Sequence, residues 1–463
     1  MSLVRKTKPS IRHTIVDPRL LYGLLFVALL MRFARGGTAN ASYLVLAAYA
    51  LFGRAQAIQA LALSWLFTML SAGVAPEASG ATVGRYAVLG AAVAATIGRA
   101  APAKGVFSIS RPVLATLALG AFIVFHSILF SDVPDVSIFK AVSWTLAMAS
   151  LLSAWKGLSS LERARLERQL FGGLAALLLV SVPFAFSGIG YLRNGTGFQG
   201  ILNHPQALGP TAALLGAWAS GRLLGLSRPR ALDGALLGLC LTLVVMSQSR
   251  AAGLALAMGV ASAVLLLPVV TRTPLPRLMP GLASRWALVA VVAAAIALVF
   301  VGPVLGQRLG SYIQKGSDSP SWFEIADQSR GELVDKMVAN IKEEPLTGIG
   351  FGVASDPSSM VTVRDSVLGL PVSAVSEKGV LPLAVPEELG ILGLLLVIIW
   401  LCPMIMRGAR SGVAAFAVLA TVLFTNLGES TFFSPGGMGL LYLVFFAWAV
   451  TGSHNNVRGS KRG

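Results

Sequence analysis

The chain has 463 residues, of which 55% are hydrophobic and only 12% charged, with a mean hydropathy of +0.75. A soluble domain carries about 25% charged residues, so this chain has too little polar surface to coat a particle in water. The net charge of +17 would suggest nucleic acid in a soluble protein. Here the Lys and Arg fall in short loops between apolar runs, which reads as topology signals and lipid headgroup contacts and argues against a nucleic-acid partner.

Taken in chain order, a basic stretch from Arg5 to Arg19 precedes the first apolar run, which reads as a first spanning helix and not as a signal peptide. Apolar runs lie near 21–35, 41–53, 56–74, 86–99, 112–130, 138–155, 169–187, 206–221, 231–247, 251–269, 286–305, 389–406, 411–427 and 437–452. Several fall short of the ~20 residues that a full crossing needs, so the expectation is an all-α polytopic membrane protein with about 12–14 transmembrane helices. Four segments follow: N-terminal helices over 1–190, helices with arginine-bearing loops over 191–305, one long hydrophilic loop over 306–388, and C-terminal helices with a tail over 389–463. Cys240 and Cys402 lie inside apolar runs, and four scattered histidines offer no ligand spacing, so neither a metal nor a cofactor is expected.

Loop charge sets an expected orientation. Segments 1–19, 99–111, 156–168, 222–230, 270–285, 407–410 and 453–463 each carry at least two Lys or Arg, whereas 131–137 and 428–436 carry none. By the positive-inside rule both termini are cytoplasmic, and the 306–388 loop faces the periplasm of a bacterial inner membrane. Within that loop Ser329 and Glu332 have capping-box spacing, and Leu333, Val334, Met337, Val338 and Ile341 repeat at helical spacing, which predicts an amphipathic helix over about 330–343. The run Gly348-Ile349-Gly350-Phe351-Gly352 lacks the strand and the Lys-Ser/Thr of a phosphate loop and reads as a flexible turn.

Arginines on the expected outer face are the main chemical signal. Arg193 precedes Asn203-His204-Pro205-Gln206, Arg250 ends Ser247-Gln248-Ser249-Arg250 between two apolar runs, and Arg330 opens the predicted loop helix. Guanidinium forks bind phosphate oxygens in bidentate fashion and keep their charge, which suits a diphosphate; the plainer alternative is snorkelling to headgroups. A base could be drawn from Glu377, Glu387, Glu388, Glu429 or His204, the carboxylates otherwise being solvated or paired to Lys378 and the histidine otherwise a polar helix cap.

These segments resemble the O-antigen ligase and polymerase superfamily. Ser247-Gln248-Ser249-Arg250 is similar to its Ser-x-Ser-Arg signature. Glu344-Pro345-Leu346-Thr347-Gly348-Ile349-Gly350-Phe351-Gly352 resembles its Pro-Leu-x-Gly-x-Gly-x-Gly loop, and Glu388-Leu389-Gly390-Ile391-Leu392-Gly393 its Glu-x-Gly-x-x-Gly helix start. Gly200 to Gln206 resembles its Asn-Pro-Asn-like loop, with His204-Pro205-Gln206 in place. The likeness spans about 190–450.

The resemblance implies a metal-independent, inverting membrane glycosyltransferase of the C type, with an undecaprenyl-diphosphate-linked glycan as donor, a glycan acceptor, and a chain-length regulator as a further partner. Arg193, Arg250 and Arg330 would hold the diphosphate, and Glu377, Glu388 or His204 would be the catalytic group. Many ligases of the family carry a His-Asn pair in the long loop, but residues 306–388 contain no histidine, and Glu377-Lys378 stands near the expected place. That departure favours a polymerase of O-antigen or exopolysaccharide repeats, with Glu377 as leading base. The alternatives are a ligase that moves glycan onto lipid A core or protein, and a polysaccharide transporter or flippase. Against transport stand the lack of an internal repeat and of charge deep within most helices.

Overall fold

The computed structural model describes residues 18–34, 37–76, 81–97, 109–193, 195, 197–284, 322–364, 369, 371–374 and 378–452. The helices in order are α1 (Pro18–Phe33), α2 (Gly37–Ala50), α3 (Arg54–Met69), α4 (Ala81–Thr96), α5 (Arg111–Phe130), α6 (Pro134–Gly157), α7 (Ser160–Ser181), α8 (Pro205–Gly225), α9 (Ala231–Met246), α10 (Arg250–Thr271), the single turn α11 (Leu275–Leu278), α12 (Trp322–Glu343), α13 (Leu381–Arg410), α14 (Val413–Thr425) and α15 (Gly437–Thr451). Strands β1 (Thr362–Arg364) and β2 (Pro371–Ala374) pair antiparallel between α12 and α13. The protein is an all-α polytopic membrane protein apart from this small ribbon. Among the described residues five helical segments are long and apolar enough to cross a membrane, Arg111–Phe130, Pro134–Gly157, Ser160–Phe186, Arg250–Thr271 and Leu381–Arg410, and four shorter apolar helices accompany them.

Local signals start these helices where the chain turns. Proline, whose missing N–H costs nothing in the first turn, stands at the head of α6 and α8. Ser159 and Glu162 form a capping box at α7. Packing then selects faces. α8 is buried along most of its length, as expected for a helix apolar on every side. Its small residues let neighbours approach: a Cβ on Gly221 would lie 2.3 Å from the Ala414 Cα of α14. Phe171 stacks on Trp218 at 4.6 Å, and Trp400 on Phe446 at 5.8 Å, filling the centre. Phe125, Leu254, Leu265 and Ile399 point outward, as lipid solvation permits.

The connections sort into two ends. At one end Arg54 Nη1 donates to Gly157 O at 3.1 Å, Ser411 Oγ to Gly452 O at 3.4 Å, and Arg163 to Thr451 O. A Cβ on Gly281 would strike Leu223 O there. At the other end Leu70 bridges Leu202, Phe198 N donates to Met246 O at 2.9 Å, Asp132 N to Ile349 O at 3.3 Å, and Leu381 N to Asn426 O at 3.0 Å. Among the described residues the first end takes the basic segments 156–168, 222–230, 270–284 and 407–410, and the second takes 131–133, 182–193, 197–204, 247–249, 344–364 and 426–436.

Three expectations change. The described loop helix already includes Trp322, so Ser329 and Glu332 lie inside it and not at its start; their spacing is also that of any i,i+3 pair on a helix. α13 begins at Leu381, eight residues before the expected 389; Pro382 is tolerated in its first turn, and the helix runs on through Pro386 to hold Glu387 and Glu388. Gly348 to Gly352 forms a turn, but a buried and closely packed one, not a flexible one. The apolar run at 286–305 lies outside the described residues.

Candidate functional site

The second end gathers most of the residues singled out above. α9 stops at Met246, Gln248 adopts the left-handed region with φ 54°, and Ser249 stands immediately before the first residue of α10. Ser247 and Ser249 are buried against α8, where a Cβ on Gly209 would lie 2.5 Å from Ser249 Cβ. The serines of the Ser-x-Ser-Arg turn are therefore small because α8 leaves no room. Arg250 follows as the first residue of α10, half-buried. A cation there opposes the helix macrodipole, and helix and guanidinium together present positive potential to an anion.

The Arg193 loop packs on the same turn. Beyond the bond from Phe198 N to Met246 O, a Cβ on Gly197 would sit 3.0 Å from Ser247 O. Gln199 holds the loop from within: Oε1 accepts from Arg193 N at 3.0 Å, and Nε2 donates to Ser71 Oγ at 3.3 Å. The Arg193 side chain is exposed. The 426–436 loop closes the other flank. A Cβ on Gly428 would be 3.0 Å from Ala251 Cβ, which sets half-buried Glu429 beside the start of α10. Asn426 braces this loop, its Oδ1 accepting from Phe432 N at 2.8 Å and Thr431 N at 3.0 Å.

The glycine-rich turn docks into a kink of α13. Gly390 takes φ 63° and ψ −173°, breaking the helix. Ile349 N donates to Glu387 O at 2.9 Å, Gly350 N to Glu388 O at 3.1 Å, and Ile391 N to Pro345 O at 2.9 Å. Gly348, Gly350 and Gly352 all have positive φ, and a Cβ on Gly390 would lie 2.0 Å from Leu346 O. With these amides spent on α13, the turn has no cradle to offer a phosphate. His126 grips it from α5, its Nε2 2.6 Å from Thr347 O. Burial, then the nearby charge of Glu344, raises the carboxyl of Asp132 above the ordinary aspartate range.

Beneath the turn lies a charged cluster. Lys378 Nζ is 2.7 Å from Glu387 Oε2 and 3.4 Å from Glu388 Oε1, with Lys378 and Glu387 side chains 1% and 0% exposed. Glu388 Oε2 accepts from Gly352 N at 2.6 Å, and Asn340 Nδ2 donates to Glu387 Oε1 at 2.8 Å and to Ser355 O at 2.9 Å. Lys140 of α6 approaches from the side, its Nζ 5.0 Å from the centre of the Phe351 ring.

The candidate bases fare differently. His204 caps α8, its Nδ1 accepting from Gln206 N at 3.0 Å. That bond is the polar-cap alternative weighed for this residue. Glu388 is committed to Gly352 N and Lys378. Glu377 lies outside the described residues, and so does the side chain of Arg330, whose backbone belongs to α12. Asn340 and Lys140 escaped sequence reasoning. Lys140 was detectable as a lone cation within an apolar run, whereas a single Asn on an amphipathic helix carries no such signal.

Residues 235–371 match the family model of the O-antigen ligase. The match takes in the Ser-x-Ser-Arg turn, α10, α12 and the glycine-rich turn, and supports the O-antigen ligase and polymerase superfamily. No curated protein matches the chain.

Proposed function

We propose, for a chain whose residues 235–371 carry an O-antigen ligase domain, that it is a glycosyltransferase which polymerises undecaprenyl-diphosphate-linked oligosaccharide repeats on the periplasmic face of the inner membrane. The observation that carries this reading is the packing of the Arg193 loop on the Arg250 turn, through Phe198 N and Met246 O at 2.9 Å. Two arginine-bearing loops meet there at the helix end that lacks topological cations, and a diphosphate leaving group needs such a concentration of fixed positive charge.

In this reading Arg193 and Arg250, joined by Arg330 of α12, neutralise the lipid diphosphate. An acceptor hydroxyl attacks the anomeric carbon, the bond to the diphosphate oxygen breaks, and a carboxylate takes the hydroxyl proton. One displacement inverts the anomeric centre. Glu377 is the leading base. Glu429 is the second candidate, supported by its loop lying against the start of α10. The end that takes the described basic segments forms the cytoplasmic side by the positive-inside rule.

The family's description favours a second reading, a ligase that moves finished glycan to an acceptor such as lipid A core. The lipid-linked glycan profile of a deletion strain separates the two. Single repeats on the carrier indicate a lost polymerase, and complete polymers left on the carrier indicate a lost ligase. An unchanged profile removes both.

A further inference from the structure

Glu387 is buried between two chain segments. Its Oε1 accepts from Asn340 Nδ2 of α12 at 2.8 Å, and its Oε2 lies 2.7 Å from Lys378 Nζ, just ahead of α13. The same Asn340 amide donates to Ser355 O at 2.9 Å, so its two protons fork between α13 and the chain beyond the glycine-rich turn. A buried ion pair is a weak source of stability, since desolvation offsets most of the attraction. What such a group supplies is registry, because a forked amide is satisfied at one position of α12 along α13 only.

Backbone bonds from Ile349 N and Gly350 N to α13 anchor the chain beyond α12, whereas within α12 itself the remaining contact is apolar. Met337 is buried, but Leu333, Val334, Val338 and Ile341 are only half-buried. Apolar contact of this kind is non-directional and tolerates sliding. Arg330 lies ten residues before Asn340 on the same helix, about 15 Å along its axis. A slip of one turn would displace its backbone by about 5.4 Å, more than a bidentate contact can absorb.

We infer that Glu387, acting through Asn340, is a positioning residue that sets the register of α12 against α13. Its consequence for the donor rests on the proposed role of Arg330 in the preceding reading. Glu387 touches no substrate.

The test uses the full-length protein in lipid, with the lipid-linked repeat extracted from the deletion strain as donor. Asn340→Leu removes the fork and leaves the ion pair. The double variant Lys378→Met/Glu387→Leu removes the acceptor together with the Lys378–Glu387 pair, while Glu388 keeps its bond from Gly352 N. Glu387→Gln keeps the acceptor oxygen and loses the charge. Asn340→Leu and the double variant should each raise donor KM about tenfold with kcat within about twofold, and Glu387→Gln should stay within about threefold of wild type on both. Hydrogen exchange should quicken over α12 in the first two variants and not in the third.

Wild-type donor KM and wild-type α12 exchange in folded Asn340→Leu overturn the inference. So does Glu387→Gln matching the apolar double variant, because charge balance alone would then be the role. Arg330→Ala separates the two levels. If its donor KM is unchanged, the diphosphate role of Arg330 falls, and the register stands or falls on α12 exchange alone.

Discussion

Arg250 is the residue on which the chemistry depends most. It sits where neither topology nor the helix dipole favours a cation. If it clamps a diphosphate, Arg250→Ala should lower the rate of polymer formation about a hundredfold, roughly 3 kcal/mol of transition-state stabilisation. Arg250→Lys should recover only part, since a point charge cannot make the paired contact. Polymer formation in cells, with protein level and thermal stability measured for each variant, reads this out. A folded Arg250→Ala with wild-type polymer removes the residue from the site. Lys378 gives the stability counterpart. Its side chain is 1% exposed beside Glu387 and Glu388, so Lys378→Met strands buried carboxylates and should cost about 3–5 kcal/mol. A melting temperature within a degree of wild type would contradict the cluster.

Among the elements, the glycine-rich turn and the α13 kink behave as one joint. Gly350 has φ 113° and a Cβ there would be 2.3 Å from Ser131 Oγ, while a Cβ on Gly390, at φ 63°, would be 2.0 Å from Leu346 O. Left-handed backbone alone costs an L-residue about 1–2 kcal/mol, before any clash with an immovable carbonyl. Gly390→Ala should therefore destabilise by more than about 2 kcal/mol. Gly172 of α7 is the control, having no atom within 4 Å of an added Cβ. Gly172→Ala should be neutral or stabilise by up to about 1 kcal/mol. Thermal unfolding in one detergent checks both, and equal shifts would refute the joint. α12 belongs to this element too. Its apolar repeat was readable from Leu333 to Ile341, but its extension back to Trp322 was not, because a capping-box pattern is indistinguishable in sequence from an i,i+3 pair within a longer helix.

At the scale of the whole molecule, the described connections divide into a basic end and an end poorer in Lys and Arg. Reporter fusions at 350 should report periplasm, and fusions at 160, 228 and 278 cytoplasm. A cytoplasmic signal at 350 would invert the site. If the arginines carry the electrostatic role as proposed, transfer by the purified protein should also survive chelation. Activity lost to EDTA and restored by Mg²⁺ would refute that assignment.

Composition, apolar run length and loop charge are local properties, and from them the sequence by itself determined the helical membrane architecture and which loops share an end. The short motifs likewise named the Ser247–Arg250 turn and the Gly348–Gly352 turn. Only the tertiary structure decided what those residues do to one another. Asn340 meets Glu387 across 47 positions and Gly352 meets Glu388 across 36. Gly209 demands small serines from a turn on another helix pair. His204, open in the sequence between a base and a helix cap, accepts from Gln206 N through its ring. Period and charge constrain each segment alone, whereas a hydrogen bond between distant segments depends on how the bundle closes.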